Sequence, residues 1–257
     1  MNEDVMLDIR NVSVRIDNRL IVDDVSFSVF KNDFLMLIGP NGAGKSTLIK
    51  AIMQVYAYSG CIYLEGSDIS GFNPKTIATR VGVLAQTHQP QFQYKVYDLV
   101  SLGRYAYQRS LFGVLGKDDK KKIEEALVVT GMEKMAYQSV LTLSGGELQR
   151  VYLAQLLAQD PHIMILDEPA THLDIKYQIT LFEIIREWAK SKGKAVMAVV
   201  HDLNTVYSYG TKALLMHEGK VYKWGETSDV LTRENLKAVY TVDVAQWMQD
   251  LMKHWEK

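Results

Sequence analysis

A glycine-rich stretch followed by a lysine and two hydroxyl residues carries the clearest chemistry in this sequence. It fits the pattern G-x-x-x-x-G-K-[ST] and consists of Gly39-Pro40-Asn41-Gly42-Ala43-Gly44-Lys45-Ser46-Thr47. Glycines let the backbone curl so that successive N–H groups point inward at phosphate oxygens. The Lys45 ammonium would face the outer phosphates, and the Ser46 hydroxyl is a candidate Mg²⁺ ligand. The stretch therefore predicts a nucleoside triphosphate site.

The residues on either side of this loop supply the elements that must position it. The apolar run Phe34 to Ile38 precedes the loop and predicts a buried strand, and Leu48, Ile49 and Ile52 follow it at helical spacing. A helix beginning near Lys45 adds its positive end to the phosphate site. Strand, glycine loop and helix form the context that the motif requires.

The composition sets wide limits on the function. The chain has 257 residues, is 47% hydrophobic and has a formal charge of -1, so it can build a large core and has no basic field for nucleic acid. Cys61 is the only cysteine, which excludes a disulfide framework and a thiolate metal cluster. Because Cys61 lies in an apolar strand pattern, we expect it to be a small buried hydrophobic residue.

The periodicity along the chain predicts an α/β protein. Apolar residues alternate with polar ones from Leu7 to Ile16 and from Val25 to Val29, which predicts half-buried antiparallel strands in an edge sheet. Buried strands are predicted at 81–84, 163–166 and 195–200, and a closing hairpin around Glu218-Gly219. Helical patterns dominate residues 88–159. We expect 1–87 and 160–225 to form the α/β core, 88–159 an inserted helical subdomain, with helices at 98–104 and 118–129, and 226–257 a helical tail.

Aromatic side chains cluster at the start of the helical segment. They are Tyr94, Tyr97, Tyr105, Tyr107 and Phe112. Core packing would account for several of them, and their density on a polar, glycine-broken stretch equally suits a docking surface for another protein. The sequence leaves both interpretations open.

A second candidate anion site is Leu143-Ser144-Gly145-Gly146-Glu147, which precedes a helical run. Ser144 and Glu147 are spaced as a capping box and could serve only to begin that helix. Two glycines in the first turn cost helix stability, roughly up to 1 kcal/mol each. They also leave bare amides at a positive helix end, which can hold phosphate. Two anion sites of this kind indicate a nucleotide held between two copies of the chain.

The phosphate loop, Leu143 to Glu147 and the Gln149-Arg150 pair after it resemble the nucleotide-binding subunit of an ATP-binding cassette (ABC) transporter. The resemblance covers essentially the whole chain. It implies an α/β fold with a RecA-like P-loop NTPase core, an antiparallel β edge subdomain and an inserted α-helical subdomain. It also implies an ATPase that uses ATP and Mg²⁺, with ATP contacted by the phosphate loop and by Ser144, Gly145, Gly146 and Glu147.

The resemblance implies roles for polar residues elsewhere in the chain. Asp167 closes a buried strand and would help to hold Mg²⁺, while Glu168 would orient or deprotonate the attacking water. Gln86 resembles the glutamine that reaches Mg²⁺ and the water. His201 matches the histidine at the γ-phosphate, and Asp174 matches a segment that crosses to the partner subunit.

One position departs from the family pattern. Where family members usually have an aromatic residue that stacks on adenine, alignment to the phosphate loop gives Ile16. Isoleucine offers apolar contact without π-stacking, so we expect adenine to contribute less to affinity in this chain.

The segment from Val96 to Tyr105, with the tail around Val239 to Val244, resembles importers of iron chelates (siderophores), haem and cobalamin. This implies a homodimer of ATPase subunits on two integral-membrane permease subunits, served indirectly by a solute-binding protein, at the cytoplasmic face of the cell membrane and without nucleic acid. Two alternatives stay open, a zinc or manganese importer ATPase and a soluble ABC-type ATPase acting on ribosomes or DNA.

Overall fold

The computed structural model describes residues 4–85, 92–108, 114–171 and 173–253. The chain divides into two compact units. Unit 1 contains Met1–Ser70 and Val199–Lys257, and unit 2 contains Gly71–Ala198. The bounds of these units differ from those predicted for the α/β core, the helical subdomain and the tail. The predicted bounds stay predictions.

Strands and helices alternate along most of the described chain. The strands are β1 (Val5–Ile16), β2 (Arg19–Phe30), β3 (Phe34–Ile38), β4 (Ser59–Leu64), β5 (Ser67–Asp68), β6 (Val81–Leu84), β7 (Ile163–Asp167), β8 (Ala195–Val199), β9 (Lys212–His217) and β10 (Lys220–Glu226). The helices are α1 (Lys45–Ile52), α2 (Pro74–Arg80), α3 (Val96–Ser101), α4 (Lys117–Val129), α5 (Gly145–Gln159), α6 (Ile175–Lys192), α7 (Leu203–Tyr209), α8 (Thr227–Val230), α9 (Arg233–Tyr240) and α10 (Val244–Met252).

Unit 1 contains an antiparallel sheet in the order β2-β1-β4-β5. Leu7 pairs with Val29 and Ile9 with Phe27, and all four side chains are buried. The alternation read from the sequence therefore gives the predicted half-buried antiparallel strands. The expectation for Cys61 is wrong, because β4 leaves this residue only partly buried.

Unit 1 also pairs β10 with β9 and β9 with β3. β3 runs parallel to β9, with Leu37 opposite Leu214, whereas β9 and β10 form the predicted antiparallel hairpin. Every residue of β3 is buried, as the continuous apolar run predicts for a central strand. The phosphate loop follows directly from this rigid strand.

Unit 2 combines parallel strands with a helical core. β7 lies between β6 and β8, and β6 pairs with β7 in parallel, with Val83 opposite Ile165. α5 packs against both α3 and α4. Their shared hydrophobic core includes Val96, Val100, Ile123, Met132 and Val151.

The predicted helix over 98–104 is wrong in its bounds and type. α3 ends at Ser101, and a 3₁₀ helix continues over Leu102–Tyr107. Gly103 lies so close to α5 that a Cβ there would come within 2.3 Å of the Gln155 carbonyl oxygen. This close backbone contact, which no sequence period reveals, coincides with the change of helix type.

Some residues of the aromatic cluster pack in the core, and others are exposed as a docking surface would require. Tyr97 packs against the helical core of unit 2 and stacks on Tyr137, with ring centroids 6.4 Å apart. Tyr94, Tyr105 and Tyr107 are exposed, Tyr105 by 54%. Phe112 lies outside the described residues.

Candidate functional site

The phosphate loop is shaped by two glycines that no other residue could replace. Gly39 has φ 145°, and a Cβ there would lie 2.2 Å from the Met216 carbonyl oxygen on β9. Gly44 has φ 96°, and its Cβ would lie 2.8 Å from the Ile21 carbonyl oxygen on β2. The neighbouring strands therefore approach the loop at backbone distance, which only glycine permits.

The turn between β9 and β10 holds the middle of the loop. The Gly219 N–H donates to the Ala43 carbonyl oxygen at 3.2 Å, and the Asp23 N–H donates to the Gly219 carbonyl oxygen at 2.9 Å. Backbone bonds thus link β2, the hairpin turn and the loop in one chain of contacts. A loop fixed in this way is preorganised for its ligand.

Lys45 is the first residue of α1 and is only 6% exposed. Its Nζ donates to the carbonyl oxygens of Gly39 at 2.7 Å and Pro40 at 2.9 Å. The loop therefore holds a desolvated ammonium against its own backbone. The first N–H groups of a helix have no intrahelical acceptor. The amides of Lys45, Ser46 and Thr47 therefore add to the positive potential at the start of α1.

Unit 1 also contains His201 and Ile16. His201 is exposed and follows Val200, whose N–H donates to the Leu37 carbonyl oxygen of β3 at 3.4 Å. His201 therefore lies at the end of β3 from which the phosphate loop begins. Ile16 is the last residue of β1 and is partly buried.

Unit 2 contains the carboxylate pair. Asp167 is the last residue of β7, and both Asp167 and Glu168 are partly buried. Glu168 has φ 52°, in the left-handed region that a non-glycine residue occupies at a cost of about 1–3 kcal/mol. Thr171 Oγ1 donates to Glu168 Oε2 at 3.4 Å.

Ser144 and Glu147 form the capping box that their spacing predicts. The Ser144 N–H donates to Glu147 Oε2 at 2.7 Å, and the Glu147 N–H donates to Ser144 Oγ at 3.3 Å. The backbone and hydroxyl bonds from Ser144 lower the pKa of Glu147 below its ordinary value. Gly145 is exposed, and a Cβ there would meet nothing within 4 Å. Packing within the chain therefore does not require glycine at 145.

The start of α5 contacts both the turn after β7 and the start of α6. Gln149 Nε2 donates to the Pro169 carbonyl oxygen at 2.8 Å, and Gln149 is only 5% exposed. Asp174 caps α6 by accepting from the Tyr177 N–H at 3.0 Å. The Arg150 guanidinium lies 4.8 Å from the centroid of the Tyr177 ring. Unit 2 thus places the first turns of α5 against Pro169 and against the start of α6, which Asp174 caps.

Gln86 lies outside the described residues, so its placement stays a prediction. The structure adds the contact between Gln149 and the Pro169 carbonyl, which the sequence did not predict. No periodic signal identifies it, because the two residues belong to separate elements.

A buried strand, a glycine loop enclosing a lysine, and a helix beginning at that lysine define a P-loop nucleotide-binding protein. The family described as ABC transporter matches residues 22–171 of this chain. The chain belongs to the ABC transporter family, as its ATP-binding component.

Three curated relatives of this chain are ATP-binding proteins of import or transport systems. The chain is 37% identical to the iron(3+)-hydroxamate import ATP-binding protein FhuC of Bacillus subtilis, over 88% of this chain and 84% of that protein. It is 37% identical to the ferric enterobactin transport ATP-binding protein FepC of Escherichia coli, over 86% of this chain and 81% of that protein. It is 35% identical to the hemin import ATP-binding protein HmuV of Mesorhizobium japonicum, over 91% of each chain.

A solved structure supports the same fold. CbiO1 of Clostridium perfringens, part of the ABC transporter complex cbiONQ, superposes with a TM-score of 0.80 and 25% identity, over 98% of this chain and 100% of that chain. The predicted α/β, RecA-like P-loop class and the resemblance to importer ATPases are confirmed. In the described residues no helix has the length and apolar character needed to cross a bilayer.

Proposed function

We propose that this chain is the ATP-hydrolysing subunit that energises a membrane importer for an iron chelate, haem or cobalamin. The relatives named for iron hydroxamate, ferric enterobactin and hemin import support this class of cargo. The observation that carries the proposal is the pairing of a built phosphate loop with an exposed, glycine-bearing helix start at Ser144.

The phosphate loop binds the triphosphate of ATP in this proposal. Its amides and the Lys45 ammonium face the phosphate oxygens, and His201 contacts the γ-phosphate. The position of His201 at the same end of β3 as the loop supports this role. Ile16 provides an apolar surface for the base.

Glu168 orients or deprotonates the attacking water, assisted by Gln86. Its position directly after the buried strand β7 supports this role, because open α/β sheets carry their sites at the carboxyl ends of the strands. Ser46, Gln86 and Asp167 would hold Mg²⁺, and the bound ion would neutralise charge on the phosphates. Hydroxyl, amide and carboxylate oxygens are the hard ligands that Mg²⁺ prefers, so the donor set fits the ion.

Ser144, Gly145, Gly146 and Glu147 contact the ATP bound by a second copy of the chain. The open space around Gly145 supports this, since a phosphate can reach the helix amides there. Asp174 lies on the segment that crosses to the partner subunit. Two ATP molecules then close the homodimer, provided that ATP binds the closed dimer more tightly than the open one.

The inserted helical subdomain, 88–159, meets the permease. The exposed aromatics Tyr94, Tyr105 and Tyr107 support a docking surface here, because aromatic residues are enriched in protein interfaces. Two permease subunits would hold the ATPase dimer at the cytoplasmic face of the membrane, with a solute-binding protein acting on the other side.

The proposal is tested by uptake in a cell that lacks this chain. The parent chain and a Lys45→Ala variant are returned separately, and uptake of labelled ferric hydroxamate, haem, cobalamin, zinc and manganese is measured. We expect the parent alone to restore uptake of at least one of the first three. Restoration of only zinc or manganese uptake would favour the first alternative. Purification from detergent-solubilised membranes without a multi-span partner, together with ribosome or DNA association, would favour the second.

A further inference from the structure

The last turn of α5, residues 155–159, packs against the 3₁₀ segment Leu102–Tyr107. Gly103 makes the closest approach, since a Cβ there would lie 2.3 Å from the Gln155 carbonyl oxygen. At this point the backbones of the segment and of the helix meet without an intervening side chain. Both elements belong to unit 2.

Arg104, the next residue of the segment, is only 7% exposed. Its Nη1 donates to the Ala158 carbonyl oxygen at 2.9 Å, and its Nε donates to Asp119 Oδ1 at 2.8 Å. Its guanidinium carbon lies 3.8 Å from the centroid of the Tyr107 ring. A cation is favoured at the carboxyl end of a helix, because the last carbonyl groups there have no intrahelical donor. One buried side chain thus joins the end of α5, the first turn of α4 and an aromatic ring.

The same segment also has an exposed side. Leu102, Tyr105 and Tyr107 are exposed by 47%, 54% and 37%. The Tyr107 hydroxyl donates to the Thr79 carbonyl oxygen at 3.3 Å, which fixes the ring from its outer end. Tyr105 and Tyr107 belong to the surface proposed to meet the permease. Tyr107 is therefore open to a partner on one side and in contact with Arg104 on the other.

The end of α5 connects this surface to segments proposed to act on ATP. α5 is one continuous helix of 15 residues, about 22 Å long, and Ser144 caps its opposite end. Gln159, in the last turn, donates from Nε2 to the carbonyl oxygen of Val81 at 3.0 Å. Val81 is the first residue of β6, the strand that precedes Gln86 in the sequence.

We propose that Arg104 is a positioning residue that couples permease docking to the ATPase, by fixing the exposed 3₁₀ segment to the end of α5. This inference rests on the proposed function, since it needs both a permease and a Ser144 segment that meets ATP. The permease shifts α5 only if it binds one arrangement of these elements more tightly than another. Arg104 lies at the end of α5 opposite Ser144, so its effect falls on coupling and leaves ATP hydrolysis by the isolated chain unchanged.

The experiment compares the parent with Arg104→Lys and with Lys212→Arg as a matched control. Lysine keeps the charge at position 104, but a single ammonium cannot replace the planar guanidinium in two directed bonds and a ring contact. Lys212 is likewise a cation in an ion pair and over a ring, 3.1 Å from Asp33 Oδ2 and 4.1 Å from the Phe30 centroid. It belongs to unit 1 and has no contact with the segment described above.

Three properties are measured for each protein. They are kcat and KM of ATP hydrolysis by the purified chain, copurification of the multi-span partner from detergent-solubilised membranes, and uptake of the labelled cargo that the parent restores, at equal levels of the chain. We expect Arg104→Lys to keep the parent's kcat, KM and copurification. Its uptake should fall by about fivefold or more, the lower end of the usual coupling between two sites. Lys212→Arg should match the parent in all three.

Unchanged uptake by Arg104→Lys would overturn the inference. A parallel loss of kcat would also overturn it, because Arg104 would then support hydrolysis itself, and so would a loss of copurification, which would limit Arg104 to shaping the docking surface. An equal fall in uptake with Lys212→Arg would do the same.

A second variant keeps the test decisive where Arg104→Lys does not fold. Asp119→Asn removes the charge that Arg104 binds on α4 and leaves Arg104 in place. It should lower uptake with the same pattern of retained kcat and copurification, and normal uptake by this variant would reject the inference. A parent that restores no uptake would instead refute the proposed function.

Discussion

Gln149 on α5 donates a hydrogen bond from Nε2 to the carbonyl oxygen of Pro169, the residue after Glu168. The two atoms are 2.8 Å apart and buried. This bond joins the helix that begins at Ser144 to the turn that carries the proposed catalytic carboxylate. The hydrogen bond therefore fixes the residue next to Glu168 directly against α5.

Replacing Gln149 by leucine should lower both stability and activity. The Pro169 carbonyl would be left buried without its donor, which costs about 1–3 kcal/mol of unfolding free energy. We expect kcat for ATP hydrolysis to fall as the Glu168 turn loosens, and urea unfolding measures the stability change. Gln138→Leu changes an exposed glutamine and serves as the control. Equal stability of the two variants would argue against the structural role of the Gln149 bond.

Replacing Glu168 by glutamine should abolish turnover while leaving ATP bound. The amide is nearly the same size as the carboxylate but cannot accept the proton from water. Without hydrolysis, the ATP-closed dimer accumulates and becomes visible by size-exclusion chromatography. Glu187→Gln, an exposed change on α6, should behave as the parent. Hydrolysis by Glu168→Gln near the parent rate would refute the proposed role.

The sequence identified the phosphate loop and its strand because both depend on local patterns. A fully apolar run must be buried, and the spacing of the glycines and the lysine in the loop is itself a local signal. The same holds for Ser144 and Glu147, whose three-residue spacing is enough to form the box.

Contacts between distant parts of the chain could not be predicted in the same way. The 3₁₀ segment after Ser101 accompanies the close packing of Gly103 on Gln155, and Gln149 meets the Pro169 carbonyl only in the folded unit. Neither pairing has a periodic signal, because each depends on how separate elements pack. The single sequence therefore revealed the residues suited to chemistry and missed those that hold them in place.

Replacing Gly145 by aspartate separates the two interpretations of the Ser144 segment. Gly145 is the first residue of α5 and its Cβ position is open, so an acidic residue should stabilise the helix. We expect a gain of about 0.5–1.5 kcal/mol from losing glycine and from the helix dipole. The same carboxylate would repel a phosphate from the partner's ATP and prevent ATP-dependent dimerisation. The stability of this variant is measured by urea unfolding, and its dimerisation by light scattering with ATP. Greater stability with normal dimerisation would leave only the capping role.

The lowered pKa of Glu147 makes the capping box sensitive to pH. A carboxyl group whose folded pKa lies below its ordinary value of 4.5 stabilises the protein above that value and loses the contribution as pH falls through the folded pKa. We therefore expect Glu147→Gln to be less stable than the parent at pH 7 and to approach it near pH 3. In a Ser144→Ala background the same change should have little effect at either pH. Urea unfolding at the two pH values supplies the measurement, and a pH-independent difference would contradict it.

Replacing Ile16 by tyrosine should increase selectivity for adenine. Ile16 is partly buried at the end of β1 and offers a base apolar contact only. We expect the parent to bind ATP and GTP with similar affinity, because apolar contact does not distinguish the two bases. A tyrosine ring at this position can stack, which should tighten ATP binding by about two- to tenfold. Competition titrations with ATP and GTP measure both effects, with Val55→Tyr as an exposed control outside the proposed site. A parent that already prefers ATP by a large factor would show that the base is recognised by other residues.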